Sequence, residues 1–215
     1  MYKAIVLIVA LTALNPDLYS QNPEKASKAT LDLRSHLWAR DGIADLNGEW
    51  EFYWNQLYTP AELYAAKINS RMQYSNVPEF WNKLIPGTAL TKGLGYATYH
   101  LKVWCPPGSD TLALKILTIS TAYRLFVNGQ QLAEVGKVGT NSINSVAAYK
   151  PQLIPVLPRD QQLDIVIQVS NFDYRTGGLW DFIKLGTLEQ IKYYEQKNII
   201  RDYFIVGGFF MMGLY

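Results

Sequence analysis

Apolar and polar residues alternate with a period of two through most of the middle of the chain, and this rhythm constrains the fold more than any other feature. In EWEFYWN, Trp50, Phe52 and Trp54 share one side, while Glu49, Glu51, Tyr53 and Asn55 share the other. In ATYHLKVWC, Ala97, Tyr99, Leu101 and Val103 alternate with Thr98, His100 and Lys102. Leu112, Leu114 and Ile116 repeat the pattern, as do Leu163, Ile165, Ile167 and Val169. Successive side chains of a strand point to opposite faces. Each run therefore predicts a strand with one buried face, as in antiparallel sheets.

Turn residues divide these runs. Asn128-Gly129 lies between two alternating segments in AYRLFVNGQQLAEVG, and both residues tolerate the positive φ of a tight type I′ turn. Further breaks fall at Pro106-Pro107-Gly108, Gly136, Pro158 and Gly177-Gly178. Seven or eight short strands separated in this way predict an all-β sandwich of jelly-roll type. One short helix is expected in TPAELYAAK, with Thr59 as N-cap and Pro60 in the first turn. Trp50, Phe52 and Trp54 are assigned to the core, and Trp81 to a rim of the sandwich.

The two ends of the sequence follow other rules. A basic start at Lys3, an apolar run from Ala4 to Leu14 and small or polar residues up to Ser20 have the order of a secretory signal peptide. The alternative is a buried N-terminal strand. After Gly186, Thr187 and Gln190 stand three apart as a capping box. The helix they open should run without a break into Tyr203–Tyr215, thirteen residues without a charge. A membrane helix needs about twenty apolar residues, so this tail is expected to be the first part of a span. The resulting layout is a signal peptide over 1–20, a flexible lead-in over 21–28, a jelly-roll ectodomain over 29–186, a juxtamembrane helix over 187–202 and the start of a transmembrane helix over 203–215. That order places the domain on the periplasmic or extracellular side of the cell membrane.

Composition removes several functional classes. A net charge of +2 with no cluster of Lys or Arg argues against a nucleic-acid partner. Cys105 is the only cysteine and sits before two prolines, so it reads as a small buried hydrophobe. The two histidines, His36 and His100, belong to no zinc-ligand spacing, and GQQLAEVGKVG lacks the ending of a phosphate loop. Neither a cofactor nor a catalytic residue is expected.

The stretch from Gly93 to Gly139, followed by LDIVIQVSNFD, resembles the jelly-roll sugar-binding domain of β-galactosidase and β-glucuronidase-type glycoside hydrolases. A second resemblance rests on LNGEWEFYW, VPEFWN, NFDYRTGGLWDF and the run into an apolar helix. These look like the galactose-binding-like ectodomain of bacterial seven-transmembrane receptors with diverse intracellular signalling modules. The resemblances imply a non-catalytic sensory ectodomain that binds a small ligand, carbohydrate being one candidate. The alternatives are an accessory sugar-binding module of a membrane-tethered glycoside hydrolase and a purely structural sandwich. A homodimer is left open.

Sugar recognition needs aromatic faces beside fixed polar groups. NFDYRTGGLWDF supplies both, with Asp173, Tyr174, Arg175, Trp180 and Asp181 around the Gly177-Gly178 turn. Tyr96 and Tyr123, at strand starts, are further candidates. The competing reading has Trp180 and Phe182 capping the core, with Arg175 paired to Asp173 or Asp181. A ligand site on a sheet face is the other open location.

Overall fold

The computed structural model describes residues 24–65, 72–84, 93–109 and 111–213. The segment read as a signal peptide lies outside these residues. Eleven strands occur among them: β1 (Thr30–Asp32), β2 (Ala44–Asp45), β3 (Gly48–Trp54), β4 (Gln73–Val77), β5 (Gly95–Trp104), β6 (Leu112–Ile116), β7 (Ala122–Val127), β8 (Gln130–Val135), β9 (Gln152–Val156), β10 (Gln162–Asn171) and β11 (Lys184–Thr187). The helices are α1 (Trp38–Asp41), α2 (Pro60–Ala65) and α3 (Leu188–Gly213).

The large sheet has the order β4-β3-β5-β10-β7-β8, and β1 pairs in parallel with the far end of β5. The small sheet runs β2-β11-β6-β9. Alternation sends one row from each sheet into a shared core. Trp50, Phe52, Tyr99, Leu101, Leu125, Ile165 and Ile167 come from the large sheet; Leu112, Leu114, Ile116, Ile154 and Leu185 come from the small one. Each such side chain contributes about 1.5–3 kcal/mol on burial, which a sandwich without disulfides depends on. Cys105 is fully buried there, and burial pushes its thiol up to about 12.

The Asn128-Gly129 hairpin forms as the sequence predicts, with φ of 50° and 81°. Helix α2 also forms, and Glu62 accepts from both the amide and the hydroxyl of Thr59.

Two expectations need correction. The central strands of the large sheet are buried on both faces, since Thr98, His100, Asp164, Gln168 and Ser170 on the outer side are buried as well. Local alternation could not reveal what covers them. Residues 56–58 lie across β5, where Tyr58 donates to Thr98 Oγ1 and Thr98 donates to the Gln56 carbonyl. The 137–148 loop lies across β10, tied by Gly139 N–H to Ser170 Oγ and by the Ser145–Ser170 hydroxyl pair. The lead-in, where described, is anchored instead of loose: Ala26 is buried and bonds to Asn47 and Glu49 on either side of Gly48.

The segments expected over 187–202 and 203–215 form one helix as far as Gly213. Thr187 and Gln190 cap it reciprocally, both bonds at 3.2 Å. Ile191 is fully buried, yet every residue from Ile199 to Gly213 is exposed. Tyr203 to Gly213 extends about 16 Å at 1.5 Å per residue, about half of a hydrocarbon core. Among the described residues no helix is long and apolar enough to cross a membrane.

Candidate functional site

The loop from Asn171 to Phe182 is built from its own backbone outward. Asn171, fully buried at the end of β10, donates through Nδ2 to the carbonyls of Gly93 and Tyr174 and accepts from Tyr174 N–H. Asn82 completes the frame: its Nδ2 donates to the Arg175 carbonyl and its Oδ1 accepts from Gly177 N–H. Beyond that turn the chain is pressed against Trp81. A Cβ on Gly177 would lie 2.4 Å from the Trp81 ring, and one on Gly178, where φ is 107°, would lie 2.9 Å from Tyr99 Oη. Only glycine fits this approach.

The framework presents Asp173, Tyr174 and Arg175 to solvent. No ion pair of Arg175 occurs among the described residues, which removes the pairing with Asp173 or Asp181 as the reason for its position. Trp180 is half-buried; it stacks on Phe80 at 5.9 Å and donates through Nε1 to Ser120 Oγ at 2.8 Å. Asp181 accepts from the Phe182 amide, and the exposed Phe182 ring lies 5.6 Å from Lys184 Nζ. One exposed polar arm and one aromatic shelf thus occupy the same loop.

Tyr96 and Tyr123 sit differently. Tyr96 is opposite Ser170 on the outer side of the large sheet and is half-buried. Tyr123 is a core residue, 1% exposed, whose burial pushes its phenol up to about 12. It has no surface to offer a ligand.

A second polar constellation lies on the outer face of the large sheet. The register places Glu51 opposite His100 and Lys102 opposite Asp164. The imidazole therefore reaches Glu51 Oε2 through Nδ1 at 2.5 Å and Asp164 Oδ1 through Nε2 at 2.8 Å. Tyr53 donates to the same Glu51 oxygen, and Tyr64 of α2 sets its ring edge-on to the imidazole at 6.5 Å. Burial alone would lower the His100 pKa, but hydrogen bonds to Asp164 and Glu51 outweigh it and hold the group near 9. Burial likewise works against both carboxylates, and their bonds to His100 keep them below the ordinary range. With both ring nitrogens engaged, His100 is a doubly clamped imidazolium that pins the outer cover, with no free position for proton transfer.

The third element is the seam between sandwich and helix. Gly186 lies under the helix, where a Cβ would be 3.1 Å from Ile43 and 3.5 Å from Ile191. Lys115 of β6 forms an ion pair with Glu195, and Gln190 donates to the Trp38 carbonyl. The first turns of α3 are therefore part of the sandwich wall.

Sequence reasoning names the residues of this loop and neither the clamp nor the seam. The partners lie 49, 64 and 80 residues apart in the chain; strand register joins the first two pairs, and the packing of α3 on β6 joins the third.

No protein-family model matches the chain, and no curated protein matches it. Solved structures do. A β-glucuronidase from an uncultured Clostridium sp. superposes with a TM-score of 0.50 and 16% identity over 66% of this chain and 28% of that one. The β-glucuronidase from Ruminococcus gnavus in complex with D-glucuronic acid gives a TM-score of 0.50 and 13% identity over 66% of this chain and 29% of that one. At such identity the likeness speaks for the jelly-roll fold alone. The chain spans less than a third of the length of these proteins.

Proposed function

We propose that this chain is the non-catalytic sensory ectodomain of a membrane receptor, binding a small ligand outside the cytoplasmic membrane and relaying the event through α3. The observation that carries this reading is the seam. Strand β11 enters α3 with no intervening loop, the helix is fixed to the sandwich by Ile191, Gln190 and Glu195, and its far half stands free and apolar. A displacement at the small sheet is handed to the helix as a rigid body. The exposed Tyr203, Phe204, Val206, Phe209, Phe210, Met211 and Met212 have the chemistry of a segment placed against lipid. Carbohydrate is the favoured ligand class, because the fold is shared with β-glucuronidases and the Asn171–Phe182 loop offers aromatic and polar groups together.

The second reading is an accessory sugar-binding module of a membrane-tethered glycoside hydrolase. It is favoured by the likeness to enzymes of which this chain spans only a part.

A thermal-shift screen of sugars and metabolites on the whole chain, followed by hydrogen exchange on each hit, tests the relay. A true ligand should raise the melting temperature and slow exchange in Leu188–Asn198. Four glycines inserted after Asn198, beyond the Glu195 ion pair, should preserve binding and abolish any response of the helix beyond it. A ligand that binds and leaves α3 unchanged would remove the relay.

A further inference from the structure

Between the first turns of α3 and the edge of the small sheet lies an open groove of about 490 Å³, lined by Ile43, Asp45, Lys184, Tyr193, Tyr194 and Lys197 among others. None of these belongs to the Asn171–Phe182 loop or to the His100 clamp. Its volume lies in the range of small-molecule sites, about 300–1,000 Å³.

The groove has a built floor. Lys184 bonds Asp45 Oδ1 at 2.6 Å, and its ammonium lies 5.4 Å from the Tyr194 ring centre and 5.6 Å from that of Phe182. The side chain is only 20% exposed, so the cation is fixed before any ligand arrives. Lys197 stands one helical turn after Tyr194, on the same side of α3, and has no ion pair among the described residues. Two lysines and one aspartate thus line the groove, leaving a single positive charge in excess.

We propose that this groove binds a sugar acid, a monoanion whose carboxylate is held between Lys184 and Lys197 while its ring packs on Tyr193 and Tyr194. The charge balance favours one carboxylate over a dianionic phosphate, which would also meet Asp45. A zwitterionic amino acid brings an ammonium that both lysines repel. The tyrosines give a pyranose what it requires, flat faces for its C–H surface and hydroxyls for its own hydroxyls. A ligand in this place touches β2 and β11 on one wall and α3 on the other, so it braces the seam directly. The site deepens the relay reading and takes its signalling consequence from it.

Calorimetry on the whole chain with D-glucuronate, D-galacturonate and D-glucose tests the proposal, read beside hydrogen exchange in α3. At least one uronate should bind at least tenfold tighter than glucose. Lys197→Gln, at an exposed position, should weaken that binding at least tenfold, and Lys197→Arg should largely restore it. Equal binding of glucose and both uronates, no binding of either uronate, or an unchanged affinity in Lys197→Gln would overturn the groove as a sugar-acid site. Uronate binding that depends on Lys197 yet leaves exchange beyond Asn198 unaltered would uphold the groove and remove the relay. A neutral sugar that alters exchange in α3 equally in Lys197→Gln, with neither uronate bound, would uphold the relay and remove the groove.

Discussion

Lys115 and Glu195 form an ion pair across 80 residues of sequence, joining the middle of the small sheet to the third turn of the long helix. Lys115 is 7% exposed, whereas Glu195 remains partly open to solvent. Replacing Glu195 with Gln strands a buried ammonium. The expected cost is about 1–3 kcal/mol, with faster hydrogen exchange in Leu188–Asn198. Denaturant melts and exchange mass spectrometry of the variant provide the check.

The His100 clamp sets a pH dependence. His100 holds its proton more tightly in the folded chain, near 9 against an ordinary 6.5. Its contribution is complete below about 6.5 and is lost as pH rises through about 9. Glu51 and Asp164 are shifted the other way, so their contribution is lost as pH falls through the acid range. An imidazole titration by NMR should show a midpoint near 9, moving down in Glu51→Gln. His100→Gln leaves the two carboxylates without a cation between them. It should cost about 3–5 kcal/mol near neutral pH and flatten the alkaline fall in stability.

The rim loop separates packed residues from exposed ones. Gly178→Ala forces a side chain into a left-handed backbone position beside Tyr99, and Gly177→Ala meets the Trp81 ring. Each should destabilise by about 1–3 kcal/mol. Trp180→Ala loses the stack on Phe80 and the bond to Ser120, with a loss of similar size. Arg175→Ala should stay within about 0.5 kcal/mol in thermal melts. A drop in ligand affinity for Arg175→Ala at unchanged stability would place recognition in this loop.

Vesicle flotation tests the free half of α3. The whole chain should co-float with phospholipid vesicles, and Phe204→Asp with Phe209→Asp should cut that fraction severalfold, because both rings are exposed and each charge resists transfer into hydrocarbon. Equal flotation of the two proteins would remove lipid as the environment of this segment.

What was legible in the sequence was local. Alternation located the core rows of β3, β5, β6 and β10, Asn128-Gly129 located a hairpin, and Thr187 with Gln190 located a helix start. Each signal is complete within a few residues. The second buried face of the large sheet was not legible, because Thr98 and Ser170 are polar and their cover comes from distant loops. His100 read as a surface residue on the same ground; nothing near it in sequence announces Glu51 or Asp164. Tyr123 shows the opposite difficulty. A tyrosine at the start of a strand can face ligand or core, and only the direction of the pleat decides. For the Asn171–Phe182 loop, the sequence shows which residues are neighbours along the chain but not their division into an exposed arm and a packed shelf.

The burial of β6 on both sides has a practical consequence. Ala113 and Lys115 would be stripped bare by trimming the polypeptide at Gly186, where the strands end and a boundary looks natural. The smallest piece that keeps its own wall intact continues about three helical turns further, past Glu195. A boundary that leaves the sandwich whole therefore runs through the interior of α3, and sandwich and helix do not come apart as separate pieces at Gly186.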